Sequence, residues 1–314
     1  MRILIAGIAG SLGANVAGRL LARGDMVLGI DNYSTGSANA LPKAPNLDFV
    51  EGTIADRGLV TACFDRFKPE LVINSAASYK DPDDWIEDIA TNVHGMANLV
   101  QSSLASGVKR FLNFQTAHCY GKPQERPVRL THPLLPFSSY GISKTAGELY
   151  LMMSGLAYVS LRMASVYGPY HYTGPIPTFY KRLKAGQKCF ATDTKRDYVA
   201  MGDFLELFDR VIAEGAPTGV FHVSSGTDIS IKEIFDAVAA EIGIKLDKPV
   251  EVRPSDPDDV STILLDPSET QSAFGWTART PFREGLRSLI VWYDENGVEQ
   301  TFSHLRGQQK DAPR

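Results

Sequence analysis

Short apolar runs alternate with stretches of helical periodicity through the first half of this chain. RILIAG (2–7), MVLGID (26–31), LVINSAA (71–77) and RFLNFQTA (110–117) are apolar without a regular polar alternation, as strands buried on both faces require. Leu12–Arg23 carries helical spacing and stops at Gly24, and Asp84–Ser106 repeats that spacing between the third and fourth runs. Strands separated by helices predict a parallel sheet with helices on both faces. After Arg162 the pattern loosens into YGPYHYTGPIPTFYKRLKAGQK, rich in Gly, Pro and Tyr, as loops around a ligand cleft are. GVFHVSSG (219–226) predicts one more strand and Ile231–Ile242 one more helix, followed by a polar connection at 253–270 and a frayed tail.

Composition changes this picture little. A length of 314 residues suits one large domain or two closely joined ones. The net charge of −4 offers no basic footprint, so no nucleic-acid partner is expected. Cys63, Cys119 and Cys189 are far apart and form no C-x-x-C pair, which predicts reduced thiols, a cytoplasmic protein and no structural metal. No run reaches the ~18 apolar residues of a membrane span. The opening MRILIAGIAG turns glycine-rich too soon for a signal peptide.

Chemistry enters at Gly7, Gly10 and Gly13. This G-x-x-G-x-x-G lies between the first strand and the first helix, where a tight turn lets the backbone approach a pyrophosphate and the helix N-terminus attracts it. Asp31 ends the next strand, 24 residues after Gly7, where a carboxylate binds a ribose 2′-hydroxyl and repels a 2′-phosphate. The pair predicts a Rossmann-type site for NAD rather than NADP.

Tyr140 precedes Lys144 by four residues and so shares a helix face with it. Tyr180 and Lys184 have the same spacing, but they lie in the looser second half, where a solvated face is expected. Tyr140 instead follows the strand at 110–117, near the sheet end that presents ligands in doubly wound folds. A phenol is a poor base at neutral pH, and a neighbouring ammonium favours its phenolate.

With these motifs in this order, the chain resembles the extended short-chain dehydrogenase/reductase family, in its nucleotide-sugar epimerase/dehydratase branch. DNYSTG (31–36), NSAA (74–77), NVHGMANL (92–99), SLRMASVYGP (160–169), RDYVAMGDF (196–204) and FHVSSG (221–226) fall where that branch has related segments. The resemblance implies a doubly wound parallel sheet in 1–166, with return segments near 196–226, and a smaller mixed α/β substrate domain, mainly 167–314. It implies catalysis by Thr116, Tyr140 and Lys144, with Asn32, Ser34, Ile54, Ala76, Ala77 and Asn92 along a tightly bound NAD. It also implies a homodimer through helices near 88–106 and 140–154.

The branch's dehydratases carry an Asp-Glu pair after the catalytic Thr, and its decarboxylases a glutamate. Ala117 and His118 stand there, closer to the 4-epimerases, with His118 a candidate acid/base or substrate contact. The expected activity is a 4-epimerisation through a 4-keto sugar, without net redox. A 4-ketoreductase, a UDP-glucuronate decarboxylase and a non-catalytic NAD-binding protein are the alternatives. Arg196 and Arg253 match the arginines that meet the nucleotide diphosphate, and Ser165 stands where an asparagine usually touches it. Two segments look most like bacterial surface-polysaccharide and UDP-uronate 4-epimerases, which would place Ser78, Tyr79, Lys80, Thr173 and Thr178 around the sugar.

Overall fold

The structure is a computed structural model and describes residues 1–79, 81–246, 248–255, 260–298 and 301. Lys80, expected near the sugar, lies outside the described residues.

Strands β1 (Arg2–Ala6), β2 (Met26–Asp31), β3 (Leu47–Glu51), β4 (Leu71–Asn74), β5 (Arg110–Thr116) and β6 (Tyr158–Met163) form most of the main sheet. Four short strands follow: β7 (Ser165–Tyr167), β8 (Phe190–Thr192), β9 (Lys195–Arg196) and β10 (Tyr198–Ala200). The seventh strand of the main sheet, β11 (Gly219–Val223), returns to pair with β6. The order β11-β6-β5-β4-β1-β2-β3 is parallel throughout and reverses direction beside β1. Ligands sit at the carboxyl ends of the strands at such a switch point.

Helices α1 (Ser11–Ala22), α2 (Arg57–Phe67), α3 (Trp85–Asp88), α4 (Met96–Ser106) and α5 (Ser139–Met153) connect the strands, with a π-helical segment, Ile89–Gly95, joining α3 to α4. Two-sided burial explains the uninterrupted apolar strands. Ile3 and Ile5 pack into one core layer with α1, whereas Leu4 and Ala6 face the other layer with α2 and α4. The layers share the sheet and little else.

The smaller C-terminal part is built on α6 (Pro175–Lys184), α8 (Ile231–Glu241) and α10 (Phe282–Asn296), whereas α7 (Met201–Val211) and α9 (Ser268–Phe274) pack into the core of the main sheet. Strands β12 (Ile229–Ser230), β13 (Glu251–Arg253) and β14 (Thr262–Ile263) complete short mixed sheets with β8 and β9. A separate core of Ile176, Phe179, Ile234, Phe235, Leu289 and Tyr293 holds it together. Tyr180 belongs to this core at 8% exposure, and its hydroxyl donates to Asp294 at 2.7 Å, which corrects the expectation of a solvated face. The stretch read as cleft loops holds the helix α6 in its middle, and α8 and α10, which bury it, are distant in sequence.

Candidate active site

A cleft of about 1060 Å³ opens at the strand ends, from Asp31 at one end to Tyr140 and Lys144 at the other. The glycine turn fits a dinucleotide for reasons visible in its backbone. Gly7 has φ +76°, and a Cβ there would stand 2.5 Å from Ala76 N. A Cβ on Gly13 would stand 2.1 Å from Gly7 O, so this glycine lets the turn close on its own helix. Gly10 is different: a Cβ would meet only Gly7 O at 3.4 Å, on the side that lines the cleft. It begins α1 without a side-chain cap, which leaves first-turn N–H groups for an anion.

Asp31 is held ready by the same turn. Its carboxylate accepts from Ala9 N and Tyr33 N, both at 2.8 Å. Burial pushes its pKa up, opposed by those backbone donors and by Asn32 N. Asn32, Ser34, Ile54, Ala76 and Ala77 line the cleft as expected. Asn92 does not. It is buried in the π-helical segment, where its side chain accepts from Ser78 N at 2.9 Å and donates to Ser78 O and Ser143 Oγ at 3.0 Å. It fastens the segment after β4 to α5 rather than facing the cleft.

Thr116 ends β5, and its Oγ1 accepts from His118 N at 3.2 Å. That leaves the hydroxyl proton to be donated, and a side-chain hydrogen bond joins Thr116 to the Tyr140 phenol. Ser138 caps α5 through Gly141 N at 3.1 Å and so fixes Tyr140 in the first turn. Burial raises the phenol's pKa, with Tyr79, Asp88 and Cys119 adding to the shift and Thr116 opposing it. Lys144, 5% exposed, donates from Nζ to Phe114 O at 2.8 Å, and desolvation lowers its pKa to about 8 despite Glu148 one turn on. In the chain alone the balance favours a neutral phenol.

A second lobe of about 730 Å³ shares Tyr79, Tyr140, Met163 and Thr173 with the first and adds Thr116, Ala117, His118, Ser165 and Arg196. The His118 ring stands 6.0 Å from that of Tyr140, and Tyr79 stands 5.9 Å from it on another side. Tyr79 OH and Thr173 Oγ1, 3.4 Å apart, bridge the waist between the lobes. Two expected substrate residues lie elsewhere. Thr178 turns back on its helix, donating to Gly174 O at 2.8 Å. Arg253 is exposed, ion-paired to Glu251 and stacked 4.1 Å over the Phe190 ring.

Sequence reasoning missed Asp197, the one carboxylate among the described residues lining the second lobe. Burial raises its pKa to about 6, while Ser224 Oγ, Ser225 N and Ser225 Oγ donate to it at 2.5, 3.0 and 2.6 Å. It also missed His171, which lines the first lobe. Asp197 sits inside the RDYVAMGDF segment, directly after Arg196, which was its available signal, whereas His171 belongs to no quoted motif.

The glycine cradle, the oriented Asp31 and a cleft ending at Tyr140 and Lys144 suit NAD. Gly7, Gly10 and Ser11 would hold its pyrophosphate, Asp31 a ribose, and Lys144 the end nearest the chemistry. Comparison with known proteins agrees. The chain is 32% identical over 315 residues to the UDP-glucose 4-epimerase of Mycolicibacterium smegmatis, covering 93% of this chain and 98% of that protein. It is 53% identical to WbmG of Bordetella bronchiseptica, solved in complex with NAD and UDP, with a TM-score of 0.92 and coverage of 97% and 98%. It is 26% identical to DesIV, the dTDP-glucose 4,6-dehydratase of Streptomyces venezuelae, with a TM-score of 0.86 and coverage of 94% and 98%. Residues 3–224 match the NAD dependent epimerase/dehydratase family, and the chain is an enzyme of that family, within the extended short-chain dehydrogenase/reductases.

Proposed function

We propose that the protein is a nucleotide-sugar 4-epimerase acting on a UDP-hexose or UDP-uronic acid. The observation that carries this reading is the surroundings of Tyr140. The phenol lies at the waist of both lobes with Thr116 beside it, and the next two positions are Ala117 and His118. A dehydratase needs an acid to protonate a departing hydroxyl. Asp197, the one carboxylate among the described residues lining the second lobe, is engaged by two serines.

Bound NAD supplies the acceptor, and later the donor, of the hydride at C4. Tyr140 takes the proton of the sugar 4-hydroxyl as that hydride leaves, and Thr116 donates a hydrogen bond to the reacting oxygen. Lys144 stabilises the phenolate and steadies the cofactor end of the cleft. The 4-keto sugar then turns over in the second lobe, and Tyr140 returns the proton once the opposite face is presented. Arg196, Ser165 and Tyr79 bind the nucleotide diphosphate and sugar.

Relatives named UDP-glucose 4-epimerase and a similar structure titled as a complex with NAD and UDP support the UDP reading. The enzyme works as a cytoplasmic homodimer in polysaccharide assembly. Ile86 and Met153, each 77% exposed, and Trp85, Ile89, Ile142 and Leu149 form an apolar face on α3, the π-helical segment and α5 that a second copy would cover. Purified protein given UDP-glucose or UDP-glucuronate without added NADH is expected to form the 4-epimer, read by NMR. Carbon dioxide release would instead identify a decarboxylase, and stoichiometric consumption of added NADH a reductase.

A further inference from the structure

The segment between β7 and α6, residues 168–174, is anchored at two places. Pro169 O accepts from Ser11 Oγ at 3.1 Å and from Asn15 Nδ2 at 3.0 Å, both near the start of α1. Asn15 Nδ2 also donates to Ser11 O at 2.8 Å, so one amide holds helix and segment together. At the second anchor, Tyr293 on α10 donates its hydroxyl to His171 O. The rings of Tyr170 and Tyr172 stand 5.0 and 6.1 Å from that of Trp292, also on α10. From this anchored segment, His171 and Thr173 line the first lobe, which the glycine turn also lines.

The segment keeps a shape that is costly for its sequence. His171 N donates to Gly168 O at 3.1 Å, closing a turn whose third residue, Tyr170, has φ +62°. Glycine suits that position, and a bulky side chain there is strained. A plain connection would use glycine; here tyrosine is kept and its ring packs on α10. Backbone strain persists only where the surroundings hold it, and it points to a functional segment. We propose that residues 168–174 are a strap across the NAD cleft, latched to α1 by Asn15 and to α10 by Tyr293, and that these latches set how fast NAD leaves. Asn15 is not among the described residues lining the first lobe, so it acts through the strap.

The test loads the purified protein with labelled NAD, adds excess unlabelled NAD, and follows the label remaining on the protein. Asn15→Ala should speed release about fivefold, the weight of a net hydrogen bond, and Tyr293→Phe should do the same. The double variant should be no faster than the quicker single one, because freeing either end already lifts the strap. Arg19→Ala is the control: it breaks the ion pair between α1 and Asp209 on α7, a different tether, and should leave release unchanged. Asn15→Leu keeps the bulk without the donor and reads the same if Ala loosens the helix. Unchanged release in both Asn15 variants, multiplied effects in the double variant, or an equal gain in Arg19→Ala overturns the proposal. No sugar is present, so a mistaken sugar assignment would not alter the result.

Discussion

Tyr140 and Lys144 are unequal partners in the folded chain. The phenol is kept neutral by burial, while the buried ammonium carries a cost of its own. The folded pKa of Lys144 is about 8 against an ordinary 10.5, so the unfolded chain binds the extra proton between those values. Stability attributable to this group is therefore fully present above the upper value and lost as pH falls through the lower one. Lys144→Met should stabilise the cofactor-free protein by up to about 3 kcal/mol at pH 7, a gain that shrinks towards pH 10. It should also abolish turnover. Urea unfolding across that pH range checks the first claim, and a sugar assay the second. Both residues were legible from one four-residue spacing and its place after a strand. Arg253 and Thr178 were not, because residue type does not say where a side chain points: Arg253 is drawn to Glu251 two residues back and to the distant Phe190 ring, and Thr178 to Gly174 O one turn back.

The elements divide in the same way. The turn from Gly7 to Gly13 could be read in advance because its constraint is local, backbone meeting backbone within a few residues. Gly13→Ala should therefore cost the protein its bound NAD, since the added Cβ would lie 2.1 Å from Gly7 O. Absorbance of the purified variant measures that loss. The helix expected over 84–106 is present but interrupted, with π-helical turns at Ile89–Gly95. No residue type announces this. It accompanies a close approach in which a Cβ on Gly147 would lie 2.4 Å from Asn92 O, and it turns the Asn92 side chain onto Ser78 and Ser143. Strands β3 and β6 also escaped notice, because LDFVE and YVSLRM mix polar residues into short apolar segments.

Across the whole molecule, a buried polar chain ties α5, which carries Tyr140 and Lys144, to the C-terminal part. Glu148 on α5 holds Arg162 at 2.8 Å, Arg162 donates to Tyr120 OH at 2.8 Å, and Tyr120 donates to His222 Nε2 at 2.6 Å. His222 Nδ1 donates in turn to Asp266 O at 2.9 Å, which fixes the neutral tautomer. A second ring proton would confront the Tyr120 hydroxyl beside a guanidinium, and burial lowers this histidine's pKa to about 4. The unfolded chain binds the proton between about 6.5 and 4, so the contribution is present above that window and lost as pH falls through it. Compared with His222→Gln, the wild type should lose about 3 kcal/mol more stability on going from pH 6.5 to 4, measured by urea unfolding. Asp197, which titrates in the opposite sense, is common to both proteins and cancels.

The return of β11 to the edge of the main sheet has a consequence for anyone who would recombine such enzymes. A crossover placed at residue 166 looks like a cut between cassettes, but it would take the outermost strand from one parent and its pairing partner from another. Grafting only the loops between β7 and β10, or exchanging everything from β6 onward, keeps that pairing within one lineage.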